Sequence, residues 1–133
     1  MFTSSAPRVF VVDDEPVIGS SLAAILRMNG YSAKFFTSPR EALAAAKVRP
    51  PDLLISDVGM PAISGIDLAI LMKTQFPACK NLLFSGAPSS LDLLDSARVQ
   101  GHNFDLLVKP VPLPEFLAEI TKRLGSAEDV FIA

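Results

Sequence analysis

Five polar positions carry the chemistry of this 133-residue chain. Asp13 and Asp14 follow the apolar run VFVV (residues 9–12), and Asp57 follows LLIS (53–56). Ser85 follows NLLF (81–84) and Lys109 follows FDLLV (104–108). Carboxylates brought together repel and raise one another's pKa, so a cluster of three is unfavourable unless a cation joins it. Oxygen-only donors favour Mg²⁺, which takes one or two carboxylates, some waters and a phosphate oxygen. A nearby lysine adds fixed positive charge, and a hydroxyl adds a hydrogen-bond donor. Phosphoryl transfer uses such parts: a nucleophile in line, a metal, and donors for the equatorial oxygens. A carboxylate can itself be the nucleophile, giving an aspartyl phosphate.

The elements that would position these groups are legible as a rhythm. Four of the five apolar runs are those just named, and the other is SAKFF (32–36), which ends at Thr37. Near-continuous apolar runs suit strands covered on both faces of a parallel sheet. Between them lie helix-like stretches opened by proline: Pro16, Pro39, Pro88, and Pro112 with Pro114; proline fits a first helical turn. The first stretch sets Ile18, Leu22, Ile25 and Met28 near one stripe, and the last sets Leu113, Phe116, Ile120 and Leu124. Gly30 and Gly101 stand where left-handed caps would end the first and fourth helices. Five strand–helix units imply an α/β fold, a doubly wound five-stranded parallel sheet of order 2-1-3-4-5 and flavodoxin-like (βα)5 topology. In such a sheet, ligands bind beyond the carboxyl ends of the strands, where the five polar positions fall.

Composition narrows the function. A chain of this length forms one domain. It is 50% hydrophobic and 20% charged, which is globular and not disordered. Lys and Arg total 12 against 14 Asp and Glu; that balance argues against direct nucleic-acid binding, which needs clustered base. One Cys (Cys79) and one His (His102) exclude an internal disulfide and a His/Cys zinc site. No apolar run reaches the ~18 residues of a membrane span, and MFTSSAPR is no secretory signal. The expected setting is cytoplasmic, away from membranes.

The motifs VFVVDDEP, DLLISDVGMPAISGIDL, LLFSG and LLVKP resemble the receiver domain of bacterial two-component response regulators. The resemblance covers residues 8–124, leaving 1–7 and 125–133 as flexible ends, and Met60, Pro61 and Gly65 also fall where the family has loop residues. It implies a signalling switch and not a turnover enzyme. Asp57 would accept a phosphoryl group from a sensor histidine kinase or phosphotransfer protein. Asp14 would ligate Mg²⁺ directly, Asp13 largely through water, and Gly59 through its backbone carbonyl, with Asp57 completing the protein ligands. Ser85 would hydrogen-bond a phosphoryl oxygen, Lys109 would ion-pair with the phosphate, and the Lys109–Pro110 bond would be cis. The tail is short and lacks linker composition, which favours a self-contained single-domain regulator; homodimerisation is left open.

The chain departs from the family pattern at Leu106, the switch position, where most receivers carry Tyr or Phe three residues before the Lys. Leu106 fills space without offering a ring or a phenol; Phe104, on the same face of an ideal strand, would substitute in part. Val111 stands where many members have Phe. Gly59 and Ala87, two residues beyond Asp57 and Ser85, are too small to shield a phosphoryl group from water. Taken singly, the acidic run is also what a helix N-terminus carries, and Ser85-Gly86 is also a plain turn; their order along the chain favours the functional reading. His102 reads as a solvated loop residue, Cys79 as inert, and Lys122-Arg123 as a solvated helix end. The alternative from another class is a haloacid-dehalogenase-type phosphatase, which needs Asp-x-Asp where this chain has Asp13-Asp14-Glu15. A flavodoxin-like cofactor protein lacks its Ser/Thr-rich phosphate loop here, and no GxxxxGK[ST] or GxGxxG loop occurs.

Overall fold

The computed structural model describes residues 6–87 and 89–125. Strands β1 (Arg8–Val12), β2 (Ser32–Phe36), β3 (Leu53–Asp57), β4 (Lys80–Ser85) and β5 (Asp105–Val108) alternate with helices α1 (Pro16–Met28), α2 (Pro39–Val48), α3 (Gly65–Gln75), α4 (Ser90–Val99) and α5 (Leu113–Leu124). All neighbouring strands pair in parallel, in the order β2-β1-β3-β4-β5. The fold is the doubly wound, flavodoxin-like arrangement expected from the five runs.

Alternate residues of the central strands feed two cores. Val9, Val11, Leu53, Ile55, Leu82 and Phe84 pack under α1 and α5, against Ala23, Leu26, Phe116 and Ile120. Phe10, Val12 and Leu54 face α2 and α3, meeting Ala42, Ala46, Leu68 and Met72. A third cluster joins Leu83 to α3 and α4 through Ile66, Ala69, Leu94 and Ala97, with Phe104 and Leu106 at its margin. Covering on both faces explains why the central runs lack polar alternation, whereas the edge strand β2 alternates exposed Ser32 and Lys34 with buried Ala33.

The helix starts follow local chemistry. Ser38 and Ser64 cap α2 and α3 by accepting from the Glu41 and Asp67 N–H groups. Gly30 and Gly101 both take φ 91° just past α1 and α4, as the left-handed caps require. Pro88 lies outside the described residues, as do 1–5 and 126–133 of the two chain ends. Of the remainder of those ends, the Pro7 carbonyl accepts from Ser32 N–H at 2.9 Å, and the Gly125 carbonyl accepts from the Tyr31 hydroxyl at 3.1 Å.

The α1 stripe differs from expectation at one end. Met28 is 85% exposed. The buried face is Gly19, Ala23 and Leu26, whose first two members are small and let the helix sit close to the sheet. Ile18, Leu22 and Ile25 lie beside that line, and continuing their row carries position 28 into solvent. On α5, Phe116 and Ile120 are buried while Leu113 is 45% exposed.

Cys79 is buried. Burial pushes its thiol from 9.0 up to about 12, and a hydrogen bond to the backbone of Leu54 opposes that rise only in part. The folded state therefore disfavours the thiolate. Its contribution to stability is full below the unfolded pKa and is lost as pH rises from about 9 toward about 12. Urea midpoints measured across that range should fall more steeply for the native chain than for Cys79→Ala. At neutral pH, iodoacetamide should leave the folded thiol unmodified.

Candidate functional site

Parallel pairing brings the carboxyl ends of all five strands to one rim. Asp13 and Asp14 leave β1, Asp57 ends β3, Ser85 ends β4, and Lys109 leaves β5. Asp57 pairs in register with Phe84, and Ser85 with Val108. The polar groups therefore meet because the strands end together.

Asp13, Asp14 and Asp57 each offer a carboxylate oxygen, and these lie within 4.8 Å of one another. Asp13 is 2% exposed. Its Oδ1 accepts from Glu15 N–H at 2.9 Å, which supplies the start of α1 with a cap that Glu15 itself does not provide. Asp14 is exposed, and Asp57 is intermediate. Lys109 Nζ lies 3.1 Å from Asp57 Oδ1 and 3.5 Å from Asp13 Oδ2. With three carboxylates ionised, one ammonium leaves the pocket with excess negative charge. Burial pushes the Asp57 carboxyl up; the hydrogen bond and charge of Lys109 oppose this, while the Asp13 and Asp14 charges reinforce it. Burial lowers Lys109, but its hydrogen bond with Asp57 and the nearby carboxylate charges outweigh that and keep it above its ordinary value. Lys109 is thus a fixed ammonium. A donor set of closely spaced hard oxygens in an over-negative pocket fits a divalent cation such as Mg²⁺.

The remaining residues frame this pocket. Gly59 is exposed, with nothing within 4 Å of where a Cβ would project. The Lys109–Pro110 peptide is cis. Leu106 is half-buried in the α3–α4 cluster beside Phe104, and Val111 packs at the margin of the α1–α5 core. Gly65 opens α3 hard against the end of β3: a Cβ there would lie 2.1 Å from the Asp57 carbonyl oxygen. The Gly65 N–H donates to Val58 O at 2.9 Å.

The Ser85 hydroxyl faces α4. It accepts from Ala87 N–H at 3.0 Å, donates to Ala87 O at 3.3 Å, and hydrogen-bonds the Ser90 hydroxyl. Sequence reasoning missed Ser90, because a serine in SSLDLL reads as a capping residue. It also missed Ser56, whose hydroxyl donates to the Asp57 carbonyl at 3.0 Å. His102 is not a free loop residue. Its ring stacks on Phe104 at 6.4 Å, and its Nδ1 lies 3.2 Å from Lys73 Nζ. Arg123 is not a solvated end either: its side chain is 10% exposed and pairs with Asp105 and Glu119, each at 2.6 Å.

A doubly wound sheet with an acidic pocket and a lysine at its carboxyl rim defines a narrow class of α/β module. Comparison with known proteins identifies which. Residues 9–121 match the response regulator receiver domain family, and the chain belongs to that family. It is similar to the DNA-binding transcriptional regulator NtrC of Proteus hauseri, 34% identical over 117 residues, which covers 88% of this chain and 24% of that one. It is 31% identical to the transcriptional regulatory protein PrrA of Mycobacterium tuberculosis, covering 92% of this chain and 53% of that one. The chain thus spans about a quarter to a half of the length of these relatives. Among solved structures, the signal receiver domain of an HD domain-containing protein from Pseudomonas fluorescens superposes with a TM-score of 0.83 at 26% identity, covering 97% and 94% of the two chains. TrrA of Thermotoga maritima, solved with Mg²⁺ and BeF, gives 0.74 at 29% identity, covering 87% of this chain and 97% of that one. Receiver domains are signalling switches that bind Mg²⁺ at an acidic cluster and are phosphorylated by histidine kinases. Among the described residues, no helix is long and apolar enough to cross a membrane.

Proposed function

We propose that this chain is a phosphorylation-dependent switch whose phosphoacceptor is Asp57, with residues 8–124 as the receiver unit. The carrying observation is the 3.1 Å contact between Lys109 Nζ and Asp57 Oδ1 inside the three-carboxylate cluster. Asp14 and Asp57 would ligate Mg²⁺ directly, Asp13 largely through water, and Gly59 through its carbonyl. When bound, the ion neutralises the carboxylates and the incoming phosphoryl oxygens. An Asp57 carboxylate oxygen then attacks the phosphorus of a kinase or phosphotransfer protein's phosphohistidine. The new O–P bond forms as the P–N bond breaks, and the imidazole leaves with the bonding electrons, to be protonated. Lys109 moves from the carboxylate to the phosphate, and Ser85 donates to a phosphoryl oxygen. The product carries added negative charge and acceptor oxygens, which favour the loop arrangement that contacts them. A partner then reads the changed surface. This chemistry would run in the cytoplasm, with no direct nucleic-acid contact by this domain.

Incubation with a small phosphodonor and Mg²⁺ should label the chain once per molecule, and EDTA should abolish the label. Multiple turnover of phosphate esters would instead mark a phosphatase and overturn the reading. The exposure of Gly59 and Ala87 leaves the phosphoryl group open to water. Replacing either with a larger polar residue should lengthen the phosphorylated lifetime severalfold, read as the decay of the label; an unchanged decay would refute this.

A further inference from the structure

The hydrogen bonds of Ser85 run to the β4–α4 connection and the start of α4. Its hydroxyl has one proton and two lone pairs. All three of its hydrogen-bond contacts lie on the α4 side, to Ala87 N–H, Ala87 O and Ser90 Oγ. Ser90 is 2% exposed and is the first residue of α4. Among the described residues its hydroxyl has no hydrogen-bond partner other than Ser85. Ser89, which precedes the helix, makes no side-chain cap bond. The Ser90 N–H donates to Ala87 O at 3.1 Å, so Ser85, Ala87 and Ser90 form one small knot joining the end of β4 to the first turn of α4. A buried hydroxyl left without a partner is destabilising, so neither serine turns away freely.

We propose that Ser90 is a positioning residue that holds Ser85 on the α4 side of the pocket, so that capture of a phosphoryl group by Ser85 breaks the Ser85–Ser90 bond and loosens the first turn of α4. The inference rests on the reading of Ser85 as a phosphoryl contact. Turning the Ser85 hydroxyl onto a phosphoryl oxygen gives up its bonds to Ala87 O and Ser90 Oγ together, and phosphorylation is thereby coupled to α4. Leu94 and Ala97, on the same helix, carry the change into the cluster that holds Leu106.

The test titrates Mg²⁺ with beryllofluoride, a tetrahedral stand-in for the phosphoryl group, into the native chain, Ser90→Ala and Ser85→Ala. Amide exchange is followed at residues 90–94. Ser90→Ala has no latch to break, so it should bind beryllofluoride about fivefold more tightly, the worth of one ordinary hydrogen bond. Its α4 first turn should already exchange at the rate the native chain reaches only when loaded. A purely structural role predicts the opposite: weaker binding and faster exchange spread into β1 and α5. Equal or weaker binding by Ser90→Ala, with Ser85→Ala weakened, overturns the latch alone. Native-like binding by Ser85→Ala overturns the phosphoryl-contact reading, and the latch falls with it.

Discussion

Asp57→Asn should abolish labelling by a small phosphodonor in the presence of Mg²⁺, a loss of roughly a hundredfold or more, because the amide has no nucleophilic oxyanion. The substitution is nearly isosteric, so the pocket keeps its shape. A second readout separates lost chemistry from lost structure. Asp57 shares its pocket with Asp13 and Asp14, and among the described residues only Lys109 pairs with these carboxylates. Removing one carboxylate relieves like-charge repulsion. In Mg²⁺-free buffer, Asp57→Asn should therefore resist urea better than the native chain, and Mg²⁺ should narrow the gap by stabilising the native chain more. Labelling retained at the native rate would move the nucleophile elsewhere. A destabilised variant would mean that the Lys109 contact outweighs the repulsion.

Gly65→Ala should be the most damaging single-methyl change near the site. The added Cβ would lie 2.1 Å from the Asp57 carbonyl oxygen, 2.8 Å from its carbon and 3.0 Å from Ser56 Oγ. Two of these obstacles are backbone atoms of β3, pinned by pairing with β4, so no rotamer change clears them. Either α3 retreats or the end of β3 moves, and Asp57 moves with it. A loss of about 3 kcal/mol in urea unfolding is expected, at the severe end of overpacking, together with slower labelling. Gly59→Ala is the control. It meets nothing within 4 Å and should stay within about 0.5 kcal/mol of the native chain. Equal stabilities for the two variants would refute the close approach of α3 to the end of β3.

The sheet was legible because three of its strands are covered on both faces and so read as unbroken apolar runs. Strand order followed from connection rules. The expected strands ended early at Ser56 and Phe84, because pairing carries β3 through Asp57 and β4 through Ser85; a polar side chain does not stop a backbone ladder. The site's residue types were legible for a related reason: each stands where an apolar run gives way to a polar group. Orientation was not legible. Ser85 faces Ser90 because of a buried contact between a strand end and a helix start, and nothing in the local pattern announces it. Arg123 reads as a solvated helix end until β5 brings Asp105 alongside. His102 likewise acquires neighbours only when α3 delivers Lys73.

The bond from the Tyr31 hydroxyl to the Gly125 carbonyl has an optical consequence. The chain has one tyrosine and no tryptophan, so its near-ultraviolet emission comes chiefly from that single phenol. The fluorophore sits beneath the last turn of α5 and not at the acidic rim. Tyrosine emission will therefore follow fraying of that helix end, and an extrinsic dye near α4 is the better beacon for events at the pocket.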